Sequence, residues 1–490
     1  MLPDDVLLET FDFCAFFCEG GRPFILLPRE DIEAWQSLVH VCRRWRNVVF
    51  ASPRRLHLQL FCTPGTPRDA LNVWPALPLF IADTHWIPCP VNGSDNIVAL
   101  LEQSDRVSHI NFLNVPSSHF LKNALEAMQK PFPELTDLVI WSYHDRMTSP
   151  VVPDSFLGGS APRLRRLSLH HITFPGLPKL LLFATHLVEL YLYNIPHSGY
   201  ISPETMVNVL SALTSLGSLH LQFYSPLSRP DQATQHLPPP KHFSLPVLTK
   251  LKFKGASEYF EDLVSRIDVP QLSTLYIALF EQTVMGTLQL VQFISCTPGF
   301  KVLETARVEV GLSARVTLSS QTSSYQELTL EISGSDRQLL FMAQIFSSSL
   351  PPLSTSKDLY IRDDSYLLLH WWQDISEITA WLELLRSFTA VRNLYLSKQF
   401  APIIAPTLQV LIGGRTTEVL PALQNIFLEG LEPSGPIQEG IEQFVSARQV
   451  IGLPIAVACW EGHDDDEKRR QRQRRRRRRR RQDGDEEDND

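Results

Sequence analysis

The side chains able to do covalent or metal chemistry are few and poorly spaced for it. Seven cysteines (Cys14, Cys18, Cys42, Cys62, Cys89, Cys296 and Cys459) are scattered over 490 residues. An odd, widely spread set argues against a disulfide framework and for a reducing compartment. Cys14-x-x-x-Cys18 is the one close pair, and no second pair or nearby histidine completes a zinc set. His170 and His171 are sequence neighbours, so on a strand their side chains leave from opposite faces, which disfavours a shared metal. The chain carries no G-x-G-x-x-G, G-x-x-x-x-G-K-[ST], H-E-x-x-H or G-x-S-x-G. No cofactor, metal or catalytic residue is expected. Binding residues are plentiful instead. Trp141, Tyr191, Tyr193, Tyr276, Tyr395 and Phe427 sit between or just after regularly recurring leucines, with Arg166, His170, Glu189, His220, Lys250, Lys252 and Lys254 at similar places. Aromatic residues beside Arg or Lys are the types that dominate protein interfaces.

What positions them is a repeat. The unit L-x-x-L-x-L, tolerating other apolar residues, occurs at Val107/Ile110/Phe112, Leu135/Leu138/Ile140, Leu164/Leu167/Leu169, Leu187/Leu190/Leu192 and Leu216/Leu219/Leu221. It continues at Leu248/Leu251/Phe253 and Leu272/Leu275/Ile277, weakens at Phe300/Leu303, Tyr325/Leu328/Leu330 and Leu359/Ile361, and closes at Val391/Leu394/Leu396 and Leu423/Ile426/Leu428. Starts lie 23 to 35 residues apart. Helical stretches separate the triplets, among them SSHFLKNALEAMQK, SPETMVNVLSALTSL, EYFEDLVSRI and LQLVQFISC. Strand and helix alternating at this period are the pattern of leucine-rich repeats, with strands on a concave face and helices on the convex one. The fold class expected is therefore α/β, an irregular leucine-rich-repeat solenoid or horseshoe. An alternating α/β domain is the competing reading.

The N-terminus reads as helix. Leu7, Leu8 and Phe11 mark one face of a first segment, with Pro3 at its start and Asp4 and Asp5 at the positive end of its dipole. Trp35, Leu38, Val41, Cys42, Trp45, Val48 and Val49 form a stripe over about four turns of a second. Leu2-Pro3, Asp5, Leu7-Leu8 and Phe11, followed by Val41-Cys42-Arg43-Arg44-Trp45, resemble an F-box, with Asp5 at the usual glutamate and a longer gap between the two motifs. A helical hairpin capping a larger domain is the alternative. The order of F-box and repeats, with stretches such as SFLGGSAPRLRRL and GGRTTEVLPALQNIFLEGLEPSGP, resembles the F-box proteins expanded in mushroom-forming basidiomycete fungi. That resemblance implies a substrate-recognition subunit of a cullin–RING (SCF-type) ubiquitin ligase, itself non-catalytic. Leu2, Pro3, Leu7, Leu8, Phe11, Leu38, Val41, Cys42 and Trp45 would dock to the adaptor subunit, and the repeats would hold an unknown protein substrate.

The expected layout is an F-box over 1–60 with an inserted loop near 12–34, a proline-rich packed connector over 61–96, and repeats over 97–435. A C-terminal cap over 436–463 and a disordered tail over 464–490 complete it. The tail has 12 basic and 10 acidic residues, leaving 33 basic against 43 acidic elsewhere, so the body is not the charge type of a nucleic-acid binder. Within the tail, Arg474–Arg481 suit a polyanion or an import receptor, or no function at all. A binding scaffold outside ubiquitin transfer, nuclear or polyanion-binding through that tail, is the second functional reading. No run of 18 uncharged apolar residues exists, and no signal peptide opens the chain, so the expected location is intracellular, cytoplasmic or nuclear.

Overall fold

The computed structural model describes residues 2–16, 33, 35–53, 55–56, 58–66, 71, 76–83, 93–113, 118–142, 149–225, 242–280, 287–311, 313–321, 326–333, 338–347, 350–363, 378–412, 417–430 and 436–460. The chain divides into two compact units, residues 1–255 with 262–271 and residues 256–261 with 272–490.

The first unit opens with α1 (Asp4–Phe16), α2 (Trp35–Val39) and α3 (Arg43–Ala51). α1 runs through Phe16, so residues 12–16 are helix rather than the loop expected there; most of the remaining loop lies outside the described residues. The single long helix expected over 35–49 is broken at residues 40–42. Cys42 is extended (φ −160°, ψ 168°) and its Sγ accepts the Trp45 N–H at 3.4 Å, which caps a new helix. Leu7, Leu8, Phe11, Trp35, Val39, Val48 and Val49 close into one apolar cluster with Leu56, Leu58 and Leu77. Helices this short are stabilised by such packing rather than by propensity.

Then follow β1 (Leu60–Cys62), β2 (Leu79–Ala82), β3 (Val107–Phe112), β4 (Asp137–Trp141), β5 (Arg166–His170), β6 (Glu189–Ile195), β7 (Ser218–Phe223), β8 (Phe243–Ser244) and β9 (Lys250–Gly255). β1 to β7 and β9 pair parallel in chain order. β8 pairs instead with β10 (Ile267–Asp268). The sheet thus begins inside the expected connector: β2 is its second strand, and a helix already starts at Gly93. The proline-rich flanks conceal a four-residue strand that is buried throughout. From β3 on, the repeat leucines stand in register, Ile110, Leu138, Leu167, Leu190, Leu219 and Leu251 each opposite the next. All six are 1% exposed or less. Each fully buried leucine contributes about 1.5–3 kcal/mol, so this row is a main source of the unit's stability. Helices between strands supply the other wall, for example Pro203–Ala212, which starts from a Ser202 cap and buries Met206, Val207 and Leu210.

The second unit carries β11 (Thr274–Phe280), β12 (Thr305–Val310), β13 (Ser313–Ser319), β14 (Glu327–Ser333), β15 (Asp358–Asp363), β16 (Asn393–Leu396), β17 (Asn425–Glu429) and β18 (Ala456–Trp460). Their order is β11-β14-β13-β12-β15-β16-β17-β18. β13 runs antiparallel to both β12 and β14, so the weak copies expected near Phe300 and Tyr325 are not successive parallel repeats. The two residues between β12 and β13 are the reason. Gly311 N–H donates to Ser313 O at 3.0 Å, and so short a connection can only reverse the chain. Parallel stacking resumes from β15 through β18. After the helix Pro436–Val450, β18 pairs with β17, and Ala456 through Cys459 remain exposed. No described helix is long and apolar enough to cross a membrane.

Candidate functional site

In β5, β6, β7 and β9 the buried leucines alternate with residues on the opposite face, because a strand has a side-chain period of two. That face carries Arg166, Ser168 and His170, then Glu189, Tyr191 and Tyr193, then Ser218, His220 and Gln222, then Lys250, Lys252 and Lys254. Strand pairing puts Ser168, Tyr191, His220 and Lys252 in one straight row across four strands. Of the residues singled out from the sequence, Trp141, Arg166, His170, Glu189, Tyr191, Tyr193, His220 and the lysines are thus brought together.

The rings are in contact. Tyr191 lies 6.1 Å from Tyr193 and 4.4 Å from His220, centroid to centroid. The Tyr193 hydroxyl is 2.7 Å from His220 Nδ1, and Trp141 lies 5.7 Å from His170 and 6.4 Å from Tyr193. Trp141 Nε1 donates to Ser168 Oγ at 3.3 Å. Beneath them Asn194 is left-handed (φ 50°), a conformation asparagine tolerates better than most residues. Its Nδ2 is 2.9 Å from His170 Nε2, and its Oδ1 accepts from Gln222 Nε2 at 2.9 Å. His171 takes the same offset one repeat earlier, also left-handed (φ 57°) and buried, so the two neighbouring histidines do part to different surroundings. Arg166 and Glu189 pair at 2.5 Å, while Lys250 and Lys252 are exposed and make no ion pair with a described residue.

Electrostatics suit recognition rather than proton transfer. Burial, helped by the Lys252 and Lys250 ammoniums, pushes His220 down to about 3. Burial pushes Tyr193 up to about 12 and lowers His170. At neutral pH the cluster therefore offers neutral donors, acceptors and ring faces, with neither a histidine base nor a phenolate poised near pH 7.

The residues chosen in the second unit are already engaged. Tyr276 donates to Glu331 Oε2 at 2.6 Å, and Arg315 Nε donates to the same oxygen at 3.0 Å. Burial alone would raise the Glu331 pKa, but these donors outweigh it and hold it low. Arg315 and Arg362 both reach Glu309, at 3.5 and 2.9 Å. Tyr395 is the middle of a stack: Tyr360 lies 4.3 Å away with planes 7° apart, and Phe427 4.5 Å away with planes 9° apart. Trp460 closes it edge-on, 5.4 Å from Tyr395. Tyr360 and Trp460 were not singled out from the sequence. For Tyr360 the signal was the recurrence of Asp358-Leu359-Tyr360-Ile361, Asn393-Leu394-Tyr395-Leu396 and Asn425-Ile426-Phe427-Leu428, a unit that does not contain Trp460. Its leading residues form a ladder: Asn425 Nδ2 donates to Asn393 Oδ1 at 2.7 Å, and Asn393 Nδ2 to Asp358 Oδ1 at 2.6 Å.

The expected adaptor-docking residues split into two sets. Leu7, Leu8 and Phe11 are 4%, 8% and 0% exposed, because they fill the core that holds the three helices together. Leu38 and Trp45 pack against that core from its rim, Trp45 edge-on to Phe11 at 4.7 Å. Leu2, Pro3, Val41 and Cys42 are exposed, as is Val6, which the sequence reading passed over. Leu2 and Val41 are 56% and 58% exposed, large values for apolar side chains. Arg44 ties the two ends, bonding the Leu2 carbonyl at 2.5 Å and Asp4 at 2.6 Å.

Among the described residues no group of three His, Cys, Asp or Glu side chains stands placed to hold a metal ion. The side chains of Cys14 and Cys18 lie outside the described residues, as do Arg474–Arg481.

No family model matches the chain. No curated protein matches it either. Among solved structures, the crystal structure of a leucine-rich repeat-containing protein of Legionella pneumophila aligns with 79% of this chain and 97% of that one, at 14% identity and a TM-score of 0.27.

Proposed function

We propose that the protein is a non-catalytic receptor that holds a partner protein on the outward face of β4 to β9. The observation that carries this reading is the in-register row of Ser168, Tyr191, His220 and Lys252, flanked by Trp141, His170 and Tyr193. A rigid parallel sheet fixes these side chains, so little ordering cost is left for the moment of binding. Aromatic anchors of this kind contribute most to protein interfaces. The test is capture of interacting proteins by the full chain, compared with Tyr191→Ala/Tyr193→Ala. Partners retained by the native chain and lost from the variant support the reading; an identical set from both contradicts it.

The finer form of the proposal is a substrate receptor of a cullin–RING ubiquitin ligase. It rests on the F-box-like motif and on the exposed apolar side chains Leu2, Val6 and Val41 of a well-packed helical cluster. Exposed apolar side chains beside such a motif are suited to an adaptor groove. The docking set narrows accordingly to Leu2, Pro3, Val41 and Cys42, with Val6 added. The burial of Leu7, Leu8 and Phe11 favours a second reading, a scaffold whose N-terminal helices simply cover the first strands of the sheet. In that case no adaptor would bind, and the front face would act alone.

A further inference from the structure

We infer that the face of β6, β7 and β9 selects an extended acidic segment with carboxylates at every second residue. The inference rests on the receptor reading above and names the chemistry of the partner.

The charges on this face do not cancel. Asp137 is 3.2 Å from His109 Nε2, and Glu189 is held by Arg166 at 2.5 Å. His170 and His220 are driven toward their neutral forms. That leaves Lys250 and Lys252, exposed and without an ion pair to a described residue. Lys252 stands opposite His220 and Lys250 opposite Ser218 on the neighbouring strand, so the lysines border the aromatic cluster. They lie on a chain whose residues before the tail carry 33 basic against 43 acidic side chains, so the patch runs against the charge of the body. A positive patch beside rigid aromatic rings fits a negative, extended partner.

The spacing makes the statement sharper. Lys250, Lys252 and Lys254 project from one side of one strand, at about 6.6 Å intervals for a rise near 3.3 Å per residue. A peptide laid along β9 in extended form repeats its own side chains at the same interval. Acids at alternate positions therefore meet successive lysines, while acids at consecutive positions point half of their charge away. Tyr191 and Tyr193, on the same face of β6 with rings 6.1 Å apart, sit beside that track.

The experiment pans a random peptide library displayed on phage against the full native chain, against Lys250→Glu/Lys252→Glu, and against Tyr191→Ala/Tyr193→Ala. The two lysines are exposed, and an unchanged urea midpoint of the charge-reversed chain checks its fold. The arginine run of the tail is present in all three, so acids selected by it cancel in the comparison. The result expected is Asp or Glu at alternate positions in the native selection and not in the charge-reversed one. The best native peptide should also bind at least about fivefold more weakly to the charge-reversed chain, and more weakly as salt rises. Acids clustered at consecutive positions, or a selection unchanged by charge reversal, would overturn the inference. If the tyrosine variant alters the selection while charge reversal does not, the face binds but not through acids. If neither alters it, the receptor reading falls as well.

Discussion

His220 makes the front face of the first unit sensitive to acid. Its folded-state pKa of about 3 lies below its ordinary value of 6.5. As pH falls below about 6.5 the unfolded chain takes up a proton that the folded chain refuses, so stability is lost between there and about 3. The loss reaches at most about 1.4 kcal/mol for each pH unit below the unfolded-state value. His220→Gln keeps a neutral polar group and removes that proton uptake. Its melting temperature should fall less than that of the native chain between about pH 7 and about pH 5, and equal falls would contradict the assignment. At the N-terminus two residues of the same motif should behave oppositely. Trp45→Ala removes a ring packed on Phe11 and should cost up to about 3 kcal/mol, read as a lower urea midpoint. Val41→Asp, at an exposed position, should leave that midpoint unchanged. A motif read from sequence gives both residues the same role; their burial separates the one that folds the helices from the one free to meet a partner.

At the scale of elements, the side-chain ladder in front of the stacked rings gives the second unit its own test. Asn393 accepts from Asn425 and donates to Asp358, which is 9% exposed. Asn393→Ala leaves Asp358 Oδ1 and Asn425 Nδ2 without this bond and should cost about 1–3 kcal/mol in urea unfolding, and Asn393→Asp, which sets a second carboxylate against Asp358, should also destabilise. Equal stability of native and alanine chains would show that the ladder is ornamental. The strands β3 to β7 and β9 were legible from the recurring leucines because each triplet fixes both the strand and its buried face. The front-face cluster followed from the same alternation, down to Tyr191, Tyr193 and the lysines. Four features were not legible. β2 hides among prolines, and the break between α2 and α3 hides because the apolar stripe runs on through Val41. β13 carries no leucine triplet, so the reversal at Gly311 passes for one more repeat. The Asp358, Asn393 and Asn425 ladder stands one residue ahead of the leucine pair, at a position the triplet does not mark.

On the scale of the whole molecule, the two compact units carry outward faces of different character. The first presents polar-tipped rings beside Lys250 and Lys252, which pair with no described acid; the second spends its rings and charges on one another, Tyr395 within its stack and Tyr276 on Glu331. On the proposed reading, partner recognition falls to the first unit and attachment to a ligase to the helices at its start. Whether those helices deliver a captured protein to ubiquitin transfer is the central claim. Its most direct test is co-purification of the full chain with the adaptor subunit of a cullin–RING ligase, native beside Leu2→Asp/Val41→Asp. The account predicts a stable complex with the native chain, lost in the variant while its urea midpoint is unchanged. A native chain that leaves the adaptor behind, or a variant that retains it fully, would contradict the ligase role.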